Sequence, residues 1–231
     1  MTSRLVRIIP GFALTLLLAV AAPAALALAV QSGTWAKTGS MTTPRQGQMA
    51  TLLASGRVLV VNGGSAGAEL YNPATGKWTA TGSPAAPASG YTTTLLPNGQ
   101  VLLAGGDQDG TPATATSSAE LYNPATGTWA DDGAASPSAE RDFTAVLLNN
   151  GQVLISGGLT GTYPAKVHVQ ADATLFDPAT GTVTSTGSMS IPRAFHTLTV
   201  LRNGQVLATG GETQNNKGEF SVTAGAELYT P

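Results

Sequence analysis

The sequence predicts an all-β chain, in which four copies of a four-stranded antiparallel unit circle an axis as the blades of a propeller. Three observations predict it. The segment Ala68-Glu69-Leu70-Tyr71-Asn72-Pro73-Ala74-Thr75-Gly76-Lys77-Trp78 returns at Ala119 to Trp129 with one change, returns more loosely at Ala173 to Val183, and starts again at Ala226. Its aromatic falls at Tyr71, Tyr122, Phe176 and Tyr229, so the spacings are 51, 54 and 53 residues. Glycine pairs at Gly63-Gly64, Gly105-Gly106, Gly157-Gly158 and Gly210-Gly211 each follow a short apolar run. Self-similarity at a period of about 50 residues marks a repeat architecture whose units bury their faces against one another.

Each repeat reads as two hairpins, with strands a, b, c and d. Asn98-Gly99, Asn150-Gly151 and Asn203-Gly204, with the weaker Ser55-Gly56, separate apolar β-rich runs. Both residues of such a tight turn must tolerate positive φ, which makes Asn-Gly a strong hairpin signal. Strand a enters this turn and strand b leaves it to end at the glycine pair. Strand c carries Glu-Leu-Tyr. It turns through Asn-Pro-Ala-Thr-Gly, where proline presets φ and glycine takes the left-handed position, into a strand d that carries Trp78, Trp129 or Val183. A four-stranded sheet of this kind has two apolar faces, so neighbouring copies must stack. The blades span about 45–82, 88–133, 140–187 and 193–231. Gly33-Thr34-Trp35-Ala36-Lys37-Thr38-Gly39 reads as a further strand d, expected over Thr34–Gly39 to pair with the last blade and close a four-bladed ring. The alternatives are a partial propeller that meets a second copy to build a larger ring, or a fragment whose missing blades lie elsewhere.

A two-hairpin repeat with a glycine pair, then an aromatic, then a tryptophan resembles the kelch repeat, the kind also found in the central domain of galactose oxidase. The resemblance covers about Thr34 to Pro231. It implies a propeller and leaves activity open, since such propellers serve as enzymes, adaptors and carbohydrate binders. The copper-radical oxidases of this superfamily need a tyrosine joined to a cysteine, and this chain has no cysteine. A mutarotase-like activity on sugars, with Glu140, His196, Arg45 and Arg193 round the channel mouth, is the enzymatic alternative.

The first residues give an address. Arg4 and Arg7 precede an apolar run from Ile8 to about Ala22, and Ala27-Leu28-Ala29 follows as a small-residue cleavage site. Residues 1–29 therefore read as a secretory signal peptide and 30–231 as the propeller, placed outside the cytoplasm in the periplasm, cell envelope or medium. An uncleaved anchor is the competing reading of the same segment. Charged residues are 10% of the chain, against about 25% in an average domain. With 11 basic and 13 acidic residues there is no field to gather nucleic acid or an anionic membrane surface. The absence of cysteine also removes disulfides and thiolate metal sites.

The b-to-c loops differ sharply in length between repeats, whereas the a-to-b turns stay minimal, so the b-to-c rim is the candidate binding surface. Its candidate residues are Tyr163, Lys166 and His168 in the third repeat. At the entry to strand a, where the resemblance implies Arg followed three residues later by His, stand Arg45, Arg141 and the complete pair Arg193 and His196. A guanidinium there can hold a carboxylate or sugar acid by a forked pair of hydrogen bonds, or tie neighbouring blades by bonding backbone carbonyls. His168 and His196 are the two histidines, without the spacing of a metal site, and Asp107-Gln108-Asp109-Gly110 lacks the later ligands of a calcium loop. No cofactor, metal or catalytic set is expected. The function expected is a secreted or envelope-associated interaction module for an unidentified protein or glycan, either a monomer or self-assembling.

Overall fold

A computed structural model describes residues 33–61, 67–85, 89–107, 115–134, 141–161 and 167–231. The segment read as a signal peptide lies outside these residues. Nineteen strands and no helix occur among them. The first sheet contains β1 (Met49–Leu52), β2 (Val58–Val61), β3 (Ala68–Asn72) and β4 (Lys77–Thr81), antiparallel in sequence order. The second repeats it with β5 (Thr92–Leu95), β6 (Val101–Ala104), β7 (Ser118–Asn123) and β8 (Thr128–Ala134). The third is built from β9 (Thr144–Leu147), β10 (Val153–Ser156), β13 (Ala173–Asp177) and β14 (Thr182–Ser185). The fourth has three strands, β15 (Thr197–Val200), β16 (Val206–Thr209) and β19 (Ala226–Tyr229).

The turns do what their residues dictate. Gly56, Gly99, Gly151 and Gly204 all have φ between 78° and 89°, and in each case the glycine N–H donates back across the hairpin, as from Gly99 to the Leu96 carbonyl at 2.9 Å. In the c-to-d turn, Asn72 and Asn123 accept the N–H two residues on through their own side chains, at 3.0 and 2.9 Å. The register places the repeated aromatic opposite the repeated tryptophan, Tyr71 against Trp78 and Tyr122 against Trp129, with ring centroids 5.0 and 5.1 Å apart.

Period-two alternation gives every sheet two apolar faces. The forward face of one sheet packs on the rear face of the next. Leu59, Val61 and Leu70 meet Val101, Leu103 and Tyr122 in one core. Leu102, Ala104 and Leu121 meet Val153, Ile155 and Phe176 in the second, and Leu154 and Leu175 meet Val206, Leu198 and Tyr229 in the third. The innermost strands accordingly neighbour one another in the order β1, β5, β9, β15. A linker clasps the first and third junctions. Between the first two sheets, Thr81 and the Tyr122 hydroxyl share a hydrogen bond of 2.7 Å, Gly82 N–H donates to Gly127 O, Trp129 Nε1 donates to Gly82 O, and Ala85 N–H donates to Glu120.

The expected closing strand is not formed. Residues 33–41 carry no strand, the fourth sheet keeps three strands, and no closed ring is seen among the described residues. The physical reason is that a strand needs a ladder: no strand edge pairs with Thr34–Gly39 among the described residues, Trp35 is fully exposed, and Gly39 bonds a turn instead, donating to Gly76 O and accepting from Trp78 Nε1. Thr38 opens the compact unit Thr38–Pro231.

Candidate functional site

The rim is built from two kinds of segment that meet at each repeat. The first is the corner just before strand a, where one residue adopts the left-handed conformation: Gly47, Gly90, Asp142 and Phe195, with φ of 66°, 67°, 57° and 55°. Glycine fills this place in two repeats without strain. Asp142 and especially the bulky Phe195 hold it at a steric cost of roughly 1–2 kcal/mol each. Backbone hydrogen bonds link consecutive corners, from Asp142 N–H to Gly90 O at 2.8 Å and from Phe195 N–H to Asp142 O at 3.0 Å. Phe195 remains 54% exposed despite its strained backbone.

The second segment is the exit from strand b. Gly157-Gly158 and Gly210-Gly211 have φ near 65° and then near 100°, which swings the chain against the corner. A Cβ on Gly158 would lie 2.8 Å from Arg141 O, and one on Gly211 would lie 2.5 Å from Ala194 O, so the close approach requires glycine. Isolated bridges then pair Ser89 with Asp107, Arg141 with Leu159 and Ala194 with Glu212. These bridges gather carboxylates at the corners. Burial pushes the Asp142 carboxyl above its ordinary range; the adjacent Arg141 guanidinium, which bonds it, opposes that, and the charges of Asp107 and Glu212 reinforce it. The result is a half-buried acid and a guanidinium at the corner, able to donate to and accept from a polar ligand. No group of three or more acidic, histidine or cysteine side chains among the described residues is arranged to hold a metal ion.

Beyond the corners, parts of the third and fourth b-to-c segments pair as short strands among the described residues. Strands β11 (Leu159–Thr160) and β12 (His168–Val169) pair, as do β17 (Glu212–Gln214) and β18 (Phe220–Val222). Gln214 Nε2 donates to Val167 O at 3.0 Å and ties the two hairpins together. Phe220 and Val222 face solvent on this extension.

The residues picked out from sequence divide into two groups. Arg45, Arg193 and His196 belong to the scaffold. The Arg193 side chain has no exposed surface; it donates to Gly210 O at 3.1 Å, Gly225 O at 2.8 Å and Glu227 at 2.8 Å. Arg45 makes the same clip in the first sheet, to Gly67 O and Glu69. Arg193 thus ties the b-to-c exit to strand c of its own sheet, and Arg45 bonds the start of strand c of its own sheet. Burial pushes the Glu227 carboxyl up, but hydrogen bonds from Ser190, Ile191 and Arg193 outweigh it and bring the pKa down to about 2. His196 is buried with its Nε2 3.2 Å from the Ser156 hydroxyl, and burial, with the nearby Arg193 charge, lowers its pKa to about 4. The imidazole is therefore neutral and packs between sheets three and four, where Tyr91, its counterpart, donates to Val61 O between sheets one and two.

Arg141 and His168 do lie on the rim, Arg141 half-buried beside Asp142 and His168 exposed on β12. Tyr163, Lys166 and Glu140 lie outside the described residues. Sequence reasoning missed Asp142 and Phe195. Aligning the corners would have found them, because Gly47 and Gly90 announce a left-handed position that the other two repeats fill with side chains. No family model matches the chain, and no curated protein matches its sequence.

Proposed function

We propose that the four sheets are consecutive blades of a kelch-like β-propeller, and that the chain works outside the cytoplasm as a recognition module. Its partner is a protein or glycan bound on the rim of corners and b-to-c hairpins. The observation that carries this reading is the ordered extension of β11–β12 and β17–β18, tied together by Gln214 and presenting His168, Phe220 and Val222 to solvent. Segments without function drift into irregular loops; here the described parts of the third and fourth excursions include paired strands on one rim. Phe195 supports the same reading, since an exposed aromatic held in a strained backbone has a packing role too small to account for its cost. The leader-like N-terminus and the cysteine-free chain support the location, and the face-to-face order of the sheets supports the blades.

The test is a screen of glycan arrays and envelope proteins with the wild-type chain and a His168→Ala/Phe195→Ala/Phe220→Ala variant. A ligand held by the rim loses at least tenfold in affinity, with the far-ultraviolet circular dichroism unchanged. Equal binding by the folded variant refutes the assignment of this rim.

A further inference from the structure

The end sheets present the two unmatched halves of an interface that the chain already makes three times. Inside the arc, Val101, Val153 and Val206 on successive rear faces are completely buried, and Leu59, Leu102 and Leu154 on successive forward faces are buried as well. At the ends the same positions open. On the rear face of the first sheet Val58 is only half-buried and Leu52 is 64% exposed. On the forward face of the fourth sheet Leu207 is half-buried, and Leu228 is 56% exposed where its counterpart Leu70 is buried. A forward face is shaped for a rear face, so the fourth sheet of one molecule offers what the first sheet of another lacks.

The linker repeats this logic. Thr38 Oγ1 shares a hydrogen bond of 2.7 Å with the Tyr71 hydroxyl, Gly39 N–H donates to Gly76 O at 3.0 Å, Trp78 Nε1 donates to Gly39 O at 2.9 Å, and Thr42 N–H donates to Glu69 at 2.9 Å. These bonds match, one for one, the clasp that Thr81, Gly82 and Ala85 make on the second sheet. At the two other clasps among the described residues, the residues just before them form the outer strand of the preceding sheet, β4 before Thr81–Ala85 and β14 before Thr186–Ile191. Before Thr38 they are Gly33-Thr34-Trp35-Ala36-Lys37, and the outer edge of β19 is without a strand partner among the described residues.

We infer that this chain assembles head to tail with a second copy of itself. The forward face of one molecule's fourth sheet packs on the rear face of the other's first sheet, and residues 33–37 of the second molecule add to the free edge of β19. The repeat fixes the register: Trp35 lies opposite Tyr229 as Trp78 lies opposite Tyr71. Main-chain pairing along the edge and burial of Leu52, Leu228 and Trp35 supply the attraction. The contact is heterologous, and in a two-copy assembly it is made twice and closes. The inference rests on the blade reading and is independent of what the rim binds.

Sedimentation equilibrium on the purified chain gives twice the single-chain mass if the inference holds. Leu52→Lys and Leu228→Asp, each at an exposed position, each sediment at half the wild-type mass while keeping the wild-type far-ultraviolet circular dichroism. Mixing the two restores the doubled mass, because the mixed pair has one unaltered junction and one with the new lysine facing the new aspartate. A wild-type monomer, single variants that keep the doubled mass, or a mixture that stays at half mass overturns it. Should a charged variant not fold, a Trp35→Cys/Tyr229→Cys variant decides: a disulfide-linked dimer on a non-reducing gel supports assembly between copies, and an internally cross-linked monomer or no cross-link overturns it. Loss of rim binding with the assembly intact counts only against the proposed function.

Discussion

Position 196 illustrates how one place in the repeat accepts different chemistry. Tyr91 fills it between the first two sheets by donating to a carbonyl, Phe143 fills it by packing near Ala104, and His196 fills it as a neutral imidazole against Ser156. The imidazole has a consequence for pH dependence. Its folded pKa of about 4 lies below the unfolded value of 6.5, so the unfolded chain binds the proton first as the pH drops. Stability from this group is complete above pH 6.5 and falls on the order of 3 kcal/mol as the pH is lowered to 4. Urea titrations across that range are expected to show the slope in the wild type. A Ser156→Ala/His196→Phe variant, which copies the Ala104 and Phe143 pair of the preceding junction, is expected to lose it. An unchanged slope in the variant would assign the dependence elsewhere. The sequence named His196 and Arg193 but left their roles open between ligand and scaffold. Residue type alone is silent on burial, which the packing of the fourth sheet decides.

At the scale of elements, the hairpins were legible because their turns have a mechanism. Asn-Gly and Asn-Pro-Ala-Thr-Gly specify backbone shapes independently of the rest of the molecule, and the structure places a turn at every one described. Short strands without a buried face were not legible: β12, His168–Val169, and β18, Phe220–Val222, are too short to display a period and exist through the hairpins they join. Thr34–Gly39 failed in the opposite sense, because a strand-like sequence forms no strand without an edge to pair with. The glycine pairs are a case where sequence and packing agree, and they can be graded. Gly99 has φ of 84° with open space where a Cβ would stand, whereas Gly158 has φ of 104° and would place a Cβ 2.8 Å from both Arg141 O and Phe143 Cβ. Gly99→Ala is therefore expected to cost about 1–2 kcal/mol, the left-handed penalty alone. Gly158→Ala costs more, since the corner backbone must also move. Equal shifts of the urea midpoint would mean that the corner yields freely and that its close approach is not a constraint.

Across the whole molecule, one rule generates the architecture: each sheet turns its forward face to the rear face of the next. The rule puts all a-to-b turns at one end, where Asn98, Asn150 and Gly151 border one cleft and Asn150, Asn203 and Gly204 the next, and it puts the corners and hairpins at the other. The recognition proposed for one rim and the assembly inferred through the end faces both rest on it. The cysteine-free chain makes the rule directly measurable, because spin labels can be attached at single introduced cysteines. Ser55, Asn98, Asn150 and Asn203 mark the a-to-b turns of the four sheets in order. Electron double-resonance distances, recorded on doubly labelled chains diluted with unlabelled protein, should be short and alike for 55–98, 98–150 and 150–203, and longest for 55–203. A consecutive pair that lies farther apart than 55–203 would contradict the stacking of the sheets.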